Sequence, residues 1–587
     1  MKSRPMLLLA GVTTAVILAA AGCGNSTNTS STSNSSNTST ATSSGQTPQK
    51  GGTLVVALPP QTNLTWYFPL ENSQNASIYN AELFSQMFMP VLYIDNNYDI
   101  DYNDSLASNV SYNKAGTQYT ITLNPKYKWS DGQPVTAQDV VWGYNIIAAT
   151  DNPKAPAPWP NYNAGSGGVP ANIQSVKATD DHTVVVTLKK AVNQQWFIYN
   201  GIGQLYAFPQ HAWNKYPNNM TQEITYLGKE ATDPTFFKVV DGAFKLQSAV
   251  NNQSWTMVPN DNFDGHKSTL DKLIFEYEGS SDSEFAALKT GSVNLGYLDL
   301  AQIGSENALK SQGDVITAGY RFAYFDTELN LQKGSPLYSA FNDLKVREAL
   351  QMGVDQDAIV QDIYHGVAAP QYGAIPTKPS TKYLDPRLAK PMFPFNIDAG
   401  KKLLESDGWS LQNGVMTKNG VQLKFTLMYS SGSASTDQME QLIQQDWKQM
   451  GVDVTLKPTP FATLIGIMDN PKDSSQWTAA GAQGVIYGGS YPTGEQLFEP
   501  GGLDNFGYDN PSIDKLIATT NQPAASAQQS QQDFYNYEYA LSKDAPVIWN
   551  PNPGTLTVTA PNVHNATAQY LNPTTGYPLF QYVWMSK

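Results

Sequence analysis

From about Lys50 to Lys587 the sequence runs as one uninterrupted globular stretch, with no dominant repeat and a length no single hydrophobic core can serve. Two or three lobes are therefore expected. Strand and helix patterns alternate along it, which points to α/β architecture. Hydrophobic residues make up 41% of the chain and aromatic residues 11%, enough to fill several cores. The only cysteine, Cys23, precedes this stretch, so neither a disulfide framework nor a thiolate metal site is available to it. Burial and hydrogen bonding have to hold the lobes together.

Ahead of the globular stretch, Lys2 and Arg4 precede an apolar run from Met6 to Ala21. This is the charged-then-apolar layout of an export signal, too short and too rich in small residues for a comfortable membrane span. The run ends at Ala20-Ala21-Gly22-Cys23, which resembles a bacterial lipobox, where the thiol receives a diacylglycerol; Ala20 stands where Leu is usual. Residues 1–22 are accordingly expected to be a signal peptide and Cys23 the lipid attachment point, the alternative being a secretory signal with an incidental cysteine. Asn25 to Ser44 is Ser, Thr and Asn throughout except Ala41. Such a tract cannot offset its ordering entropy by burial, so 23–50 reads as a flexible, lipid-anchored tether that holds the body at the outer face of the cell membrane.

The formal charge of the chain is -14, and more negative once Lys2 and Arg4 are set aside. So acidic a body repels phosphate backbones, which argues against nucleic acid as partner. Only 15% of residues are charged, and beyond Arg4 the arginines are Arg321, Arg347 and Arg387.

Local patterns define several elements. "GGTLVVALPP" is a short strand stopped by Pro59-Pro60, and "TQYTITLNP" alternates Tyr119, Ile121 and Leu123 on one face. In "KWSDGQPVTAQDVVWGYNII", Asp131-Gly132 supplies a turn and Thr136 caps a helix, with Asp139 three places on and Val140, Tyr144 and Ile147 at helical spacing. "NDLKVREALQMGVDQDAIVQDIYHG" reads as two helices around a joint, restarting at Asp355 and stopping at Gly366. "LKFTLMY", "TDQMEQLIQQDWKQMG" and "VDVTLKP" give strand, helix, strand, a crossover that suits a parallel pair.

The module "YTITLNPKYKWSDGQPVTAQDVVWGY" is followed in order by "DGAFKLQSAVNNQSWTMVPNDNFDG" with "LDKLIFEY", "EFAALKTGSVNLGYL", "LKVREALQMGVDQDAIV" and "NFGYDNPSIDKLI". Together these resemble the extracytoplasmic solute-binding proteins of the peptide/nickel ABC-transporter family, the group that contains the oligopeptide- and dipeptide-binding proteins. The resemblance implies an α/β, two-lobed, three-domain periplasmic-binding-protein fold with a hinged interlobe cleft. Lobe I would comprise 51–90, 209–320 and 546–587, with a small domain inserted at 91–208, and lobe II would be 321–545. It further implies a monomer without cofactor that captures solute by hinge closure and delivers it to an ABC permease.

Family members that bind free peptides carry an Asp in a stretch like "ADYPDP", pairing with the ligand's ammonium. Here the matching stretch is "GVIYGGSYPTGEQLF", with Ser490 in that place, and no Lys or Arg lies between Lys472 and Lys515. The ligand's ends are therefore held elsewhere, blocked, or uncharged. Tyr487, Gly488, Gly489, Ser490 and Tyr491 still offer exposed main chain and apolar area with polar tips, and are expected to touch ligand. Trp66, Tyr67 and Phe68 stand where the family has its first cleft-lining loop, and at least one is expected to reach the cleft. Asn330 and the pair Trp549 and Asn550 complete the candidates. Trp129, Asp131 and Asp139 are assigned to structure, as turn and cap.

An enzyme is the first competing reading, but the five histidines are widely separated, with no HExxH and no Gly-x-Ser-x-Gly elbow. Carboxylates brought together by folding, as in a glycoside hydrolase, stay open. Among ligands, an oligopeptide is the family default and a neutral oligosaccharide the runner-up. Nickel gains no support from the sparse histidines, and no metal site is expected.

Overall fold

Thr53–Ala57 turns Leu54 and Val56 inward at the two-residue period of a strand, and its burial on both flanks puts it in the middle of a seven-stranded sheet. The computed structural model describes residues 47–587 except 73, 96–97, 153, 469, 496, 501–505, 567–571 and 573–575; residues 48–587 form one compact unit. The expected signal peptide, Cys23 and nearly all of the tether lie outside the described residues.

Across the seven-stranded sheet the order is Val315–Gly319, Thr555–Thr559, Leu295–Leu298, Thr53–Ala57, Lys272–Glu276, Ser254–Pro259 and Phe244–Val250. Thr53–Ala57 is parallel to both of its neighbours, and the other pairings are antiparallel. Segments far apart in sequence thus share one sheet.

A separate antiparallel sheet takes Ala107–Tyr112, Gln118–Leu123, Thr183–Leu188 and Ile173–Asp180 in that order. Tyr119, Ile121 and Leu123 are buried on one face, as their alternation requires. The helix Ala137–Thr150 packs against this sheet and begins with the expected capping box: Thr136 accepts from the Asp139 N–H while the Asp139 carboxylate accepts from Thr136 N at 2.9 Å. Asp139 also accepts from Trp129 Nε1 at 3.4 Å, so the strongest sequence motif of the region is a fastening between turn and helix.

A third, five-stranded sheet runs Asp453–Thr459, Lys424–Ser430, Ala479–Ile486, Ala323–Leu329, Ile548–Asn550. Lys424–Ser430 and Asp453–Thr459 are parallel from Lys424↔Asp453 to Ser430↔Thr459, and the helix Ala434–Gln449 makes the crossover between them. The helix Leu344–Met352 packs beside it, ending at the joint where Asp355 caps the next turn. Arg347, buried on that helix, donates to the carbonyls of Phe341, Asp544 and Ala545, satisfying the end of the helix Ala527–Asp544.

Two crossings join the five-stranded to the seven-stranded sheet. One lies between Gly319 and Ala323. The other lies between Asn550 and Thr555, since Ile548–Asn550 still pairs with Ala323–Leu329 whereas Thr555–Thr559 pairs with Val315–Gly319. Side chains tie the two crossings together: Arg321 Nε and Nη2 donate to Thr555 Oγ1 at 3.2 and 2.9 Å, and Asn552 Nδ2 donates to the Arg321 carbonyl at 3.1 Å.

Candidate functional site

Pairing between Lys424–Ser430 and Ala479–Ile486 runs only from Leu427↔Ala479 to Tyr429↔Gly481. On its other side Ala479–Ile486 stays paired with Ala323–Leu329 as far as Ile486↔Ala323. A bulge separates the two regimes: the register steps from Asp326↔Gln483 to Glu328↔Ala480, with Ala482 at φ 51. Bulges bend a strand and end its pairing, and here the edge beyond Gly481 swings clear of its former neighbour.

A cavity of ≈ 340 Å³ opens along that edge. Ala482, Gln483, Gly484, Val485 and Ile486 all line it. Successive side chains of a strand point to opposite faces, so what an unbroken run presents in common is its main chain. Tyr487 N donates to the Phe322 carbonyl at 3.0 Å, and antiparallel alternation then puts the N–H and C=O of Gly484 and Ile486 on the cavity edge. A side chain at Gly484 is excluded by geometry, because its Cβ would lie 2.5 Å from the Tyr324 carbonyl oxygen.

The walls come from both sides of the crossings. From the seven-stranded side come Pro59, Pro60 and Thr62 after the first strand, and Ser77 to Tyr79 at the start of the helix Ile78–Met87. Facing them are Phe325, Ser430, Ser431, Ser433, Thr436, Trp477 and the helix Phe461–Met468. The charged groups on the wall, among the described residues, are Arg321 and Glu328. Hydrogen bonds close the two sides together: Ser431 Oγ donates to Gln61 Oε1 at 2.9 Å, and Ser433 Oγ to Asp299 Oδ2 at 2.7 Å. Ser435 N donates to Asp299 Oδ1 at 3.1 Å, so an acid carried after the strand Leu295–Leu298, on the seven-stranded side, helps cap the helix Ala434–Gln449.

None of the eleven candidate ligand residues lines this cavity. Tyr487 is next to it, following Ile486, but its ring is buried against Phe322 and its hydroxyl donates to the Ala374 carbonyl at 2.8 Å. Gly488 and Gly489 have φ 58 and 84, and Ser490 N closes the turn on the Tyr487 carbonyl at 2.7 Å. The glycines thus serve a turn with two left-handed positions. Tyr491 pairs by its main chain with Asn200, N to Oδ1 at 2.8 Å and Nδ2 to O at 3.1 Å.

Trp66, Tyr67 and Phe68 are all buried. Trp66 Nε1 and the Tyr67 hydroxyl donate to the carbonyls of Leu70 and Leu64, and Phe68 packs among Phe208, Trp213 and Phe237. An irregular segment enclosed on every side can bury adjacent aromatics that a helix or strand would split between faces. Asn330 donates to the carbonyls of Ser474 and Trp477 and accepts from Gln332 N; it fixes the main chain of Trp477, a residue that does line the cavity. Trp549 borders a separate cavity of ≈ 60 Å³, and Asn550 Nδ2 donates to Thr327 Oγ1 at 3.0 Å.

Three structural participants went unremarked in the sequence. Gly484, in "AAGAQGVI", carried a legible signal, since an isolated glycine in a strand marks a bulge or a close backbone approach. Glu495 is buried and accepts from Gly167 N, Trp196 Nε1, Asn200 Nδ2 and Asn521 Nδ2, and burial raises its carboxyl above the ordinary range despite those donors. It pins the segment after Tyr491 to the turn Phe197–Ile202. Neither it nor Asp299 has a local pattern that distinguishes it from a surface acid.

Among the described residues no helix is long and apolar enough to cross a membrane, and no group of three or more His, Cys, Asp or Glu is placed to hold a metal ion. Residues 101–505 match the family "Bacterial extracellular solute-binding proteins, family 5 Middle". The oligopeptide-binding protein AppA of Bacillus subtilis (strain 168) is 23% identical over 555 residues, covering 94% of each chain. The oligopeptide-binding protein OppA of Lactococcus lactis subsp. lactis (strain IL1403) is 26% identical over 588 residues, 93% of each. In three dimensions the chain superposes on B. subtilis AppA in complex with a nonapeptide with a TM-score of 0.78 at 20% identity, over 92% of this chain and 100% of that one. The fold is therefore the two-lobed α/β fold of those binding proteins.

Proposed function

The chain belongs to the bacterial extracellular solute-binding proteins, family 5, and from that premise we propose that it captures oligopeptides outside the cell and passes them to an ABC permease. The observation that carries the peptide reading is the open edge of Ala479–Ile486 at the cavity. An extended peptide laid there adds a strand to the sheet, exchanging hydrogen bonds with the main chain of Gly484 and Ile486. Such contacts read the ligand's backbone and leave its side chains free, which suits a carrier of many peptides. The turn from Tyr487 to Tyr491 closes the end of that edge, and Phe325, Phe461 and Trp477 supply apolar area for side chains.

Closure in this reading is the docking of the two sides of the cavity through Asp299, Gln61, Ser431 and Ser433. Opening breaks these bonds and turns the molecule about the paired crossings at Arg321 and Thr555. Cys23, through a diacylglycerol, holds the molecule at the outer face of the membrane, near the permease. The names of AppA and OppA, both oligopeptide-binding proteins, support the ligand class.

The test is native mass spectrometry of the purified full-length protein, followed by titration with mixed hexapeptides and with neutral oligosaccharides. Peptides are expected to co-purify or bind, and Ile486→Pro, which removes one N–H from the open edge, to weaken that binding at least tenfold. Retention of oligosaccharides, with no response to peptides, replaces the peptide reading with the sugar reading. Ligand at a hundredfold excess over Kd should add about 2.7 kcal/mol to stability, which a melting assay reads directly.

A further inference from the structure

The cavity wall carries charge where the sequence reading placed none. Arg321 stands in the crossing between Val315–Gly319 and Ala323–Leu329, and it supplies the cation on the wall among the described residues. Its guanidinium is positioned from behind: Nε and Nη2 both donate to Thr555 Oγ1, at 3.2 and 2.9 Å, on the opposite crossing. Its main chain is fixed as well, since the Arg321 carbonyl accepts from Asn552 Nδ2 at 3.1 Å. The stem packs so closely on Gly576 that a Cβ there would lie 3.1 Å from Arg321 Cγ.

A guanidinium has five N–H donors in a rigid fork, and one hydroxyl cannot answer them all. Among the described residues Arg321 forms no ion pair with a carboxylate, although the side chain is half-buried. A preorganised cation facing a cavity with donors to spare fits a carboxylate, which such a fork grips by charge-assisted bonds.

We propose that Arg321 receives the C-terminal carboxylate of the bound peptide at the hinge end of the cavity, with Thr555 as the residue that positions its guanidinium. The inference rests on the peptide reading and adds to it the ligand's direction. Glu328 borders the same cavity seven residues further along, roughly 20 Å at about 3.3 Å per residue. A peptide with its carboxylate at Arg321 therefore directs its ammonium end toward the acid. Because Arg321 and Thr555 belong to the two crossings between the lobes, the same contact ties ligand to hinge.

The experiment titrates full-length protein with one set of mixed hexapeptides of uncharged side chains, made both as free acids and as C-terminal amides. The free acids are expected to bind wild type at least tenfold more tightly than the amides. Arg321→Met should bring the acids to within about twofold of the amides, and Thr555→Val should give an intermediate ratio, with melting temperatures measured alongside. Equal binding of acids and amides by wild type overturns the proposal without recourse to any variant. So does a preference for acids that survives in a folded Arg321→Met protein. Failure of wild type to bind either set while it binds oligosaccharide removes the peptide reading itself, and this inference with it.

Discussion

Glu440 lies on the helix Ala434–Gln449 beneath the bulge, and it explains a second glycine. A Cβ at residue 481 would lie 2.2 Å from Glu440 Oε1, so "AAGAQG" needs Gly481 for the acid under the sheet as it needs Gly484 for the strand alongside. Fully buried, with no hydrogen-bond partner for either oxygen among the described residues, the Glu440 carboxyl is pushed from 4.5 up to about 8 by desolvation. The sign of the consequence follows from proton counting. Between pH 4.5 and about 8 the folded state holds a proton that the unfolded state has released, so stability contributed by the neutral acid is complete below 4.5 and lost as pH rises through about 8. Asp241, raised to about 8 by burial, acts in the same direction. Glu440→Gln should flatten the dependence of melting temperature on pH across that window; an unchanged slope would show that Glu440 is ionised in the folded protein.

At the scale of elements, the bulge and the two interlobe anchors decide how the sheets are used. Had Ala479–Ile486 kept its neighbour Lys424–Ser430 to the end, the cavity edge would be an ordinary interior pairing. Glu495 gathers donors from Trp196, from the turn Phe197–Ile202 and from Asn521, fastening that turn to the segment after Tyr491. Asp299 does the corresponding work beside the cavity-lining Ser433, capping the helix Ala434–Gln449 jointly with it. Loss of a helix cap costs about 1 kcal/mol, which is a factor of about five in an equilibrium. Asp299→Ala is therefore expected to lower the closed-to-open ratio of the ligand-free protein about fivefold, seen as a larger radius of gyration in small-angle X-ray scattering. Ligand affinity should fall by no more than that factor. An unchanged radius and affinity would remove Asp299 from the closure.

For the whole molecule, the acidic, arginine-poor body and its proposed mooring make one further prediction. Cys23→Ser should release the protein from the membrane fraction into the medium with peptide binding intact; membrane retention of the variant would end the proposal of a lipid anchor at that residue. Much of the architecture was legible in the chain because it rests on local chemistry. The Thr136 and Asp139 capping box, the alternation of Tyr119, Ile121 and Leu123, and the parallel crossover through Ala434–Gln449 each depend on neighbours a few residues apart or on a hydrophobic period. The site was less legible. The glycines and tyrosines around 487–491 were noticed because they are locally unusual, yet the turn and the surrounding packing occupy them, as the core occupies Trp66, Tyr67 and Phe68. What lines the cavity is main chain exposed by a register shift and an arginine held by a threonine more than two hundred residues away. Sequence by itself determined the elements and the lack of a thiol framework, since those follow from composition and short-range spacing, and its ordered motifs carried the resemblance to the family. Only the tertiary structure decided which edge is open and where the charge sits, because long-range pairing leaves no period or motif in the chain.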